Sequence, residues 1–209
     1  MTIQPIVEGY GDVAALPVLL RRLLSKLALH DLTVGRPIRK PRSELINETS
    51  LRKAVRLARI QDDCAAILIV FDADEDCPKQ LAVEVQRWAK DEAGSIPCAV
   101  VLPKCEYEAW FLGALASLRG KREIRSDACF DGESESVRGA KERLEEFMPP
   151  TRSYSETTDQ PALTAVFDLG AAHRNCRSFR RMASAFYEIA ERLDALPEAA
   201  VWPPSGWLD

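Results

Sequence analysis

Residues 64–74 have the sequence Cys-Ala-Ala-Ile-Leu-Ile-Val-Phe-Asp-Ala-Asp, an apolar run that leads directly into two aspartates. The apolar part lacks the alternation of polar and apolar residues that marks a strand with one face in water. An uninterrupted apolar run of this length is typical of a strand that is covered by helices on both faces. The segment therefore predicts the central strand of a parallel sheet, with the aspartates at the end of that strand.

Further strand–helix units lie on either side of this segment. Residues 3–7 are apolar and lead through a turn with Gly9 and Gly11 into residues 13–27, whose leucines recur at helical spacing. The other predicted elements are strands over 32–34 and 98–102 and helices over 51–60, 79–93 and 106–118. This order predicts an α/β fold, with a mostly parallel, Rossmann-like sheet of about four strands flanked by helices.

The pattern changes after residue 118. Polar residues lead to a short charged helix predicted over 137–147 and then to a Ser/Thr-rich loop. From Phe179 to Ile189, apolar residues at helical spacing mark a final amphipathic helix. We therefore divide the chain into an α/β domain over 1–118 and a mainly helical C-terminal extension over 119–209 that packs on it.

The composition excludes several classes of protein. The 209 residues include 28 basic and 32 acidic side chains, for a net charge of −4, so the chain is not a wholly basic nucleic-acid coat. At roughly 150 residues per domain, one domain with an appendage is expected. The two histidines and six cysteines lack the spacing of a zinc site. Apolar runs stay below the ~18 residues of a membrane span, and the N-terminus lacks the order of a signal peptide, so we expect a cytoplasmic protein.

Acidic side chains follow three of the predicted strands. The set comprises Glu8, with Asp12 one helical turn beyond it, Asp72 and Asp74, and Glu106 with Glu108. Ligands of open α/β sheets bind at the carboxyl ends of the strands. Carboxylates that converge there repel each other unless a cation lies among them. Because oxygen ligands without His or Cys suit Mg²⁺ or Mn²⁺, we expect one of these ions and, with it, phosphoryl transfer or phosphodiester cleavage.

Some of these acidic residues also have a purely structural interpretation. Asp12 stands where a helix N-cap would stand, and Glu106 and Glu108 place negative charge at a helix N-terminus. Asp72 and Asp74 carry the strongest signal, because the alanine between them directs both carboxylates the same way if the strand continues. The spacing fits neither an EF-hand nor a P-loop nor a dinucleotide fingerprint.

Two segments of the sequence together resemble the Toprim domain of topoisomerases, primases and OLD-family nucleases. They are Ile6-Val7-Glu8-Gly9 followed by Asp12, and Phe71-Asp72-Ala73-Asp74 at the end of the apolar strand. More narrowly, the chain resembles the DUF4276 group of Toprim-like bacterial proteins. The further matches are Cys77 after the second motif, Glu108-Ala109-Trp110-Phe111-Leu112, and Cys176-Arg177-Ser178-Phe179.

The resemblance implies a role for each motif. In Toprim enzymes the glutamate after the first strand is a general acid/base or a metal ligand, which implies that role for Glu8. The aspartate pair binds Mg²⁺, which implies that role for Asp72 and Asp74. Asp12 and Glu108 resemble the additional acids with which nuclease-type members hold a second ion. Similar Toprim proteins act beside a partner ATPase of AAA or ABC type in phage defence, so the resemblance also implies such a partner and context.

Two basic clusters are candidates for contacts with the phosphates of DNA. The first is the predicted loop with Arg36, Arg39, Lys40 and Arg42, and the second comprises Arg174, Arg177, Arg180 and Arg181. The structural alternative is that these side chains form a solvated face or pair with acidic residues.

Three functions are compatible with the sequence. The first is a Mg²⁺-dependent nuclease that cleaves DNA at Glu8, Asp72 and Asp74. The second is a catalytically latent Toprim module that acts only with an ATPase, for which we expect an exposed apolar patch. The third and least favoured is a small-molecule phosphohydrolase of haloacid-dehalogenase type, because that family carries its aspartate pair on the first strand.

Overall fold

A parallel sheet forms the centre of the molecule. The computed structural model describes residues 1–204 and Trp207, and within them the sheet has five strands. β1 (Thr2–Val7) pairs with β4 (Cys64–Val70), and β4 pairs with β5 (Cys98–Val101). On the other side of β1, β2 (Thr33–Val34) and β3 (Ile38–Arg39) pair with its first and second halves. β1 and β4 thus lie side by side, and their carboxyl ends meet at one edge of the sheet.

Helices connect and cover these strands. They are α1 (Tyr10–Lys26), α2 (Arg42–Leu45), α3 (Glu48–Arg59), α4 (Pro78–Ala93), α5 (Ala109–Gly113), α6 (Ala140–Glu145), α7 (Asp159–Thr164), α8 (Leu169–Asn175) and α9 (Arg177–Arg192). Two 3-10 helices lie at Leu115–Leu118 and Ser134–Ser136. None of the described helices is long and apolar enough to cross a membrane.

Both faces of β4 are buried, as its apolar sequence predicts. Leu68 and Val70 belong to the core formed with α1 and α9, and Ile67 and Ile69 belong to the core formed with α3 and α4. This division follows from the two-residue period of a strand, which directs successive side chains to opposite faces. The prediction of a parallel α/β sheet flanked by helices, with a C-terminal helix, is confirmed.

The C-terminal segment shares the core of the first face. Phe179 and Phe186 of α9 are fully buried in the same cluster as Leu20 of α1 and Trp110 of α5. Trp110 contacts Phe179 edge to face, with ring centroids 5.2 Å apart. Residues beyond position 118 therefore complete the hydrophobic core that covers one side of the sheet.

Several element boundaries differ from the predictions. The basic segment predicted as a loop contains β3 and the start of α2, because Ile38 pairs with Ile6 of β1. The helix predicted over 106–118 is the short α5 followed by a 3-10 turn, and the helix predicted over 137–147 is only α6. The predicted Ser/Thr-rich loop leads into α7 and α8, two helices of six and seven residues. Helices this short do not show the repeating apolar pattern that identifies longer ones.

Candidate functional site

An acidic cavity lies at the carboxyl ends of β1 and β4. Its volume is about 130 Å³, the space of a few water molecules or a phosphate group. The residues that line it are Glu8, Gly9, Asp12, Asp72, Glu108, Lys141, Glu156 and Gln160. Four of the acids predicted from the sequence therefore converge in one cavity, together with a lysine, a glutamate and a glutamine from beyond position 118.

The turn between β1 and α1 forms one wall of the cavity. Glu8 follows the last residue of β1, and Gly9 is the N-cap of α1. Asp12 is thus the third residue of the helix and not its N-cap, contrary to the structural alternative for this residue. The Gly9 backbone N–H donates to Asp12 Oδ2 at 2.9 Å, and Gln160 Nε2 donates to Asp12 Oδ1 at 3.0 Å. Both carboxylate oxygens of Asp12 are therefore fixed in place, one by the turn and one by α7.

The segment after β4 separates the two aspartates of the Asp72-Ala73-Asp74 motif. The strand ends at Val70, and Asp74 has a positive φ of 49°. Asp72 lines the cavity, whereas Asp74 pairs with Arg42, its Oδ2 lying 3.2 Å from Arg42 Nε. The condition under which both carboxylates would project the same way is not met, because the strand ends before the motif. Asp74 nevertheless lies close enough to Glu8 for its charge to raise the pKa of Glu8.

Arg42 holds this segment through several contacts at once. Its guanidinium donates to the backbone carbonyls of Asp72 and Ala73, pairs with Asp74 and Asp76, and lies 5.7 Å from the centroid of the Phe71 ring. Only 18% of its side chain is exposed. Arg42 therefore fixes the position of Asp72 at the cavity, and it is not available as a phosphate contact on the surface.

Glu108 is fully buried at the start of α5. Tyr154 OH donates to Glu108 Oε1 at 2.7 Å, whereas Oε2 is buried without a hydrogen-bond partner in the described part of the chain. Burial raises the pKa of Glu108 to about 7, against an ordinary value of 4.5. A carboxyl group that titrates near neutral pH is suited to proton transfer or to binding a cation.

Lys141 is the cation of the cavity, and no sequence motif identified it. Its Nζ lies 2.7 Å from Glu156 Oε1. Burial alone would lower the pKa of Lys141, but the hydrogen bond to Glu156 and the charge of Glu108 raise it, so the ammonium stays charged. Glu106, which follows β5, accepts a hydrogen bond from the Lys141 backbone N–H at 3.0 Å and so positions the start of α6.

Burial and mutual repulsion raise the pKa values of three further carboxyls in the cavity. For Glu8 the causes are burial and then the charges of Asp74 and Asp12. For Asp12 the cause is burial, opposed by its two hydrogen bonds. For Asp72 burial comes first, followed by the charges of Asp12 and Glu108, and its pKa lies well above the ordinary value. These carboxyls together favour an additional positive charge in the cavity.

The comparison with known families assigns the chain. The model of a domain of unknown function, DUF4276, matches residues 7–186, which is most of the sequence. The chain belongs to the DUF4276 family. Searches of curated proteins and of solved structures found no match to it. The matched region contains every residue that lines the cavity, from Glu8 to Gln160.

The predicted basic clusters of this DUF4276 chain differ in their contacts. Lys40 Nζ pairs with Glu44 at 2.8 Å, and Arg42 is held by the segment after β4. In the second cluster, Arg180 donates to the backbone carbonyls of His173 and Arg174, and Arg181 pairs with Glu188. The burial of the basic residues also differs: Lys40 is half-buried, and the exposed ones are Arg36, Arg39, Arg174, Arg177, Arg180 and Arg181.

The donor atoms of the cavity fit a hard divalent cation, but their arrangement is not already a metal cage. Within the described residues, no group of three His, Cys, Asp or Glu side chains is placed to hold a metal ion. The oxygens Glu8 Oε2, Glu108 Oε2 and Gln160 Oε1 are nevertheless buried and have no hydrogen-bond partner there. Oxygen donors without His or Cys are the ligand set of Mg²⁺ and Mn²⁺. Glu8, Asp72 and Glu108 are the residues that would hold such an ion in this DUF4276 protein.

Proposed function

We propose that the acidic cavity is the catalytic centre of a Mg²⁺- or Mn²⁺-dependent nuclease of Toprim type that hydrolyses phosphodiester bonds of DNA. The observation that carries the proposal is the set of unpartnered buried oxygens of Glu8 and Glu108 in a cavity that Asp72 and Asp12 also line. Leaving polar atoms buried and unpaired costs free energy. A divalent cation would supply the missing partner.

The order of the motifs along the parallel sheet supports the Toprim relationship. The glutamate follows β1, and the aspartate motif follows β4, the strand that neighbours β1. The two segments of this sequence that resemble the Toprim motifs lie at these two positions. A role in bacterial anti-phage defence belongs to the same proposal and rests on that resemblance alone.

Each residue of the cavity has a role in this proposal. Glu8, half-buried and with a raised pKa, takes a proton from the attacking water or supplies one to the leaving oxygen. Asp72 and Glu108, with Glu8, hold the cation, while Asp12 is fixed by Gly9 and Gln160 and maintains the wall. The cation, when bound, lowers the pKa of water and neutralises charge on the phosphate.

Lys141 supplies positive charge that does not depend on a metal. Its ammonium is paired with Glu156, whose own side chain is 45% exposed. A phosphate in the cavity can therefore accept a hydrogen bond from Lys141 while Glu156 remains in contact with water. This arrangement favours an anionic substrate in a cavity whose lining residues include five carboxylates.

A cleavage assay with matched variants tests the proposal. Purified protein is incubated with supercoiled plasmid and with single-stranded DNA in Mg²⁺, in Mn²⁺ and in EDTA. We expect cleavage only with metal, and a loss of at least a hundredfold in Glu8→Gln. Glu84→Gln, on the exposed surface of α4, is the control and keeps the wild-type rate. Cleavage by Glu8→Gln at the wild-type rate would refute the assignment.

The second candidate is a Toprim module that acts only with a partner ATPase. The observation that favours it is the pair of exposed apolar side chains Leu57 and Val83 on α3 and α4, two helices that pack against each other on one face of the sheet. This candidate gives no cleavage by the purified chain and restored, Glu8-dependent cleavage when the ATPase is added.

A further inference from the structure

Tyr10 is an exposed aromatic residue beside the acidic cavity. It is the first residue of α1 and follows Gly9, which lines the cavity. The residue is 67% exposed, although the large aromatic residues elsewhere in the described chain contribute mostly to the core. A ring that remains in water gives up the free energy that its burial would provide.

Arg39 stacks on this ring. Its guanidinium carbon lies 4.1 Å from the centroid of the Tyr10 ring, and its Nη1 donates to the Glu8 backbone carbonyl at 3.3 Å. Arg39 is on β3, opposite Val7 in the register of the sheet. The stack therefore joins the edge of the sheet to the residue that we propose as the catalytic glutamate.

We propose that the Tyr10–Arg39 stack binds an unpaired base of single-stranded DNA, next to the phosphate that enters the cavity. This inference rests on the proposed nuclease function and names its substrate class. An aromatic ring can stack on a base only when that face of the base is free, and stacking of successive bases on aromatic side chains is the usual mode of single-strand binding. The adjoining guanidinium contributes a cation–π contact and a positive charge toward the backbone.

The size of the cavity supports this arrangement. A volume of about 130 Å³ admits a phosphate group with a cation but not a whole nucleotide. The sugar and base attached to a phosphate in the cavity must therefore lie outside it. Tyr10 directly follows Gly9, which lines the cavity, and its partner Arg39 contacts the backbone of Glu8, which lines it as well.

The distribution of charge favours a single strand over a duplex. Duplex binding depends on many phosphate contacts from Lys and Arg. In the first basic cluster Lys40 pairs with Glu44, and Arg42 is held by the segment after β4, which leaves Arg36 and Arg39 on the surface. On a chain of net charge −4, the two exposed arginines of this cluster give a limited electrostatic attraction, to which stacking of a base adds.

Binding measurements on Tyr10 variants test the inference. The probes are a fluorescent 12-nucleotide single strand and the duplex of the same sequence, in Ca²⁺ to slow cleavage, with affinity read by fluorescence anisotropy. We expect the single strand to bind more tightly than the duplex. Tyr10→Ala should weaken single-strand binding about tenfold and duplex binding less than twofold, whereas Tyr10→Phe, which keeps the ring, should stay within twofold of wild type.

Two further variants separate stacking from general effects. Arg39→Gln should weaken single-strand binding and reduce the slope of log Kd against log salt concentration. Val83→Ala, which removes a different exposed apolar side chain, should leave both affinities unchanged. Equal losses for the two probes in Tyr10→Ala, or no loss in either, would overturn the inference.

The failure of this inference is distinguishable from the failure of the proposed function. Wild-type cleavage that Asp72→Asn abolishes, together with Tyr10-independent binding, refutes the stacking site and keeps the nuclease. Tyr10-dependent single-strand binding without any metal-dependent cleavage keeps the stacking site and refutes the nuclease. Cleavage of duplex DNA in preference to single strands contradicts the inference directly.

Discussion

Glu108→Gln tests whether the cavity holds a carboxyl group that is protonated at neutral pH. Burial raises the Glu108 pKa from 4.5 to about 7. Between pH 4.5 and about pH 7 the folded protein therefore keeps a proton that the unfolded chain releases. Stability must therefore fall as the pH rises through this window. At 1.36 kcal/mol per pKa unit, a difference of about 2.5 units corresponds to about 3.4 kcal/mol over the whole titration, of which about 2–3 kcal/mol is lost between pH 5 and pH 8. Gln cannot ionise, so the variant should lack this part of the loss.

The assay is chemical denaturation of both proteins in EDTA at pH 5 and pH 8. We expect Glu108→Gln to match wild type within about 1 kcal/mol at pH 5 and to be more stable by about 2–3 kcal/mol at pH 8. Glu84→Gln, an exposed site on α4, should show the wild-type pH dependence. A wild-type pH dependence in Glu108→Gln would show that this carboxyl is not held protonated and would refute the electrostatic description of the cavity.

Three further variants examine the walls of the cavity. Lys141→Met removes the ammonium that pairs with Glu156. Denaturation should show that the free energy of unfolding falls by roughly 2 kcal/mol at pH 8 and by less at pH 5, because the carboxyls of the cavity carry less charge at pH 5. An equal loss at both pH values would contradict this. Gly11→Ala places a Cβ 2.0 Å from Gln160 Oε1 and 2.9 Å from the Glu156 backbone oxygen. The free energy of unfolding should therefore fall by about 1–3 kcal/mol despite the better helix propensity of alanine. A variant more stable than wild type would refute the close approach. Arg42→Gln releases residues 72–76, so amide hydrogen exchange in that segment should accelerate and cleavage should fall at least tenfold. The control is Arg59→Gln, which removes a surface contact to the Glu92 backbone and should change neither quantity.

The sheet could be predicted from the sequence because its strands are apolar and its long helices are amphipathic. β1, β4 and β5 appear as separate apolar runs, and α3, α4 and α9 are long enough to repeat the helical spacing. Several short elements could not be predicted, although the two-residue β2 and the short α6 fall within predicted segments. β3 has two residues and forms only because it pairs with β1, and α7 has six residues with a proline among them.

The convergence of Glu8, Asp12, Asp72 and Glu108 also followed from the sequence, because the carboxyl ends of parallel strands share one edge. The divergence of Asp74 did not, since it depends on a positive φ and on the contacts of Arg42.

The second wall of the cavity lies outside any pattern in the sequence. Lys141, Glu156 and Gln160 come from short helices and loops beyond the sheet, and tertiary packing alone brings them to the carboxylates. The signal that could have indicated a cation is electrostatic. Several carboxylates that converge in one buried place need a compensating positive charge. Either a metal ion or a lysine from elsewhere in the chain can supply that charge.

The most direct test of the nuclease assignment is the cleavage of DNA by wild type and Asp72→Asn side by side in Mg²⁺ and in Mn²⁺. Asp72 lines the cavity beside other carboxyls that repel it, so its neutralisation should leave the fold intact, with an unchanged or higher melting temperature. We predict metal-dependent cleavage by the wild type and none by a folded Asp72→Asn. Equal cleavage by the two proteins would contradict the assignment of the cavity as the catalytic centre.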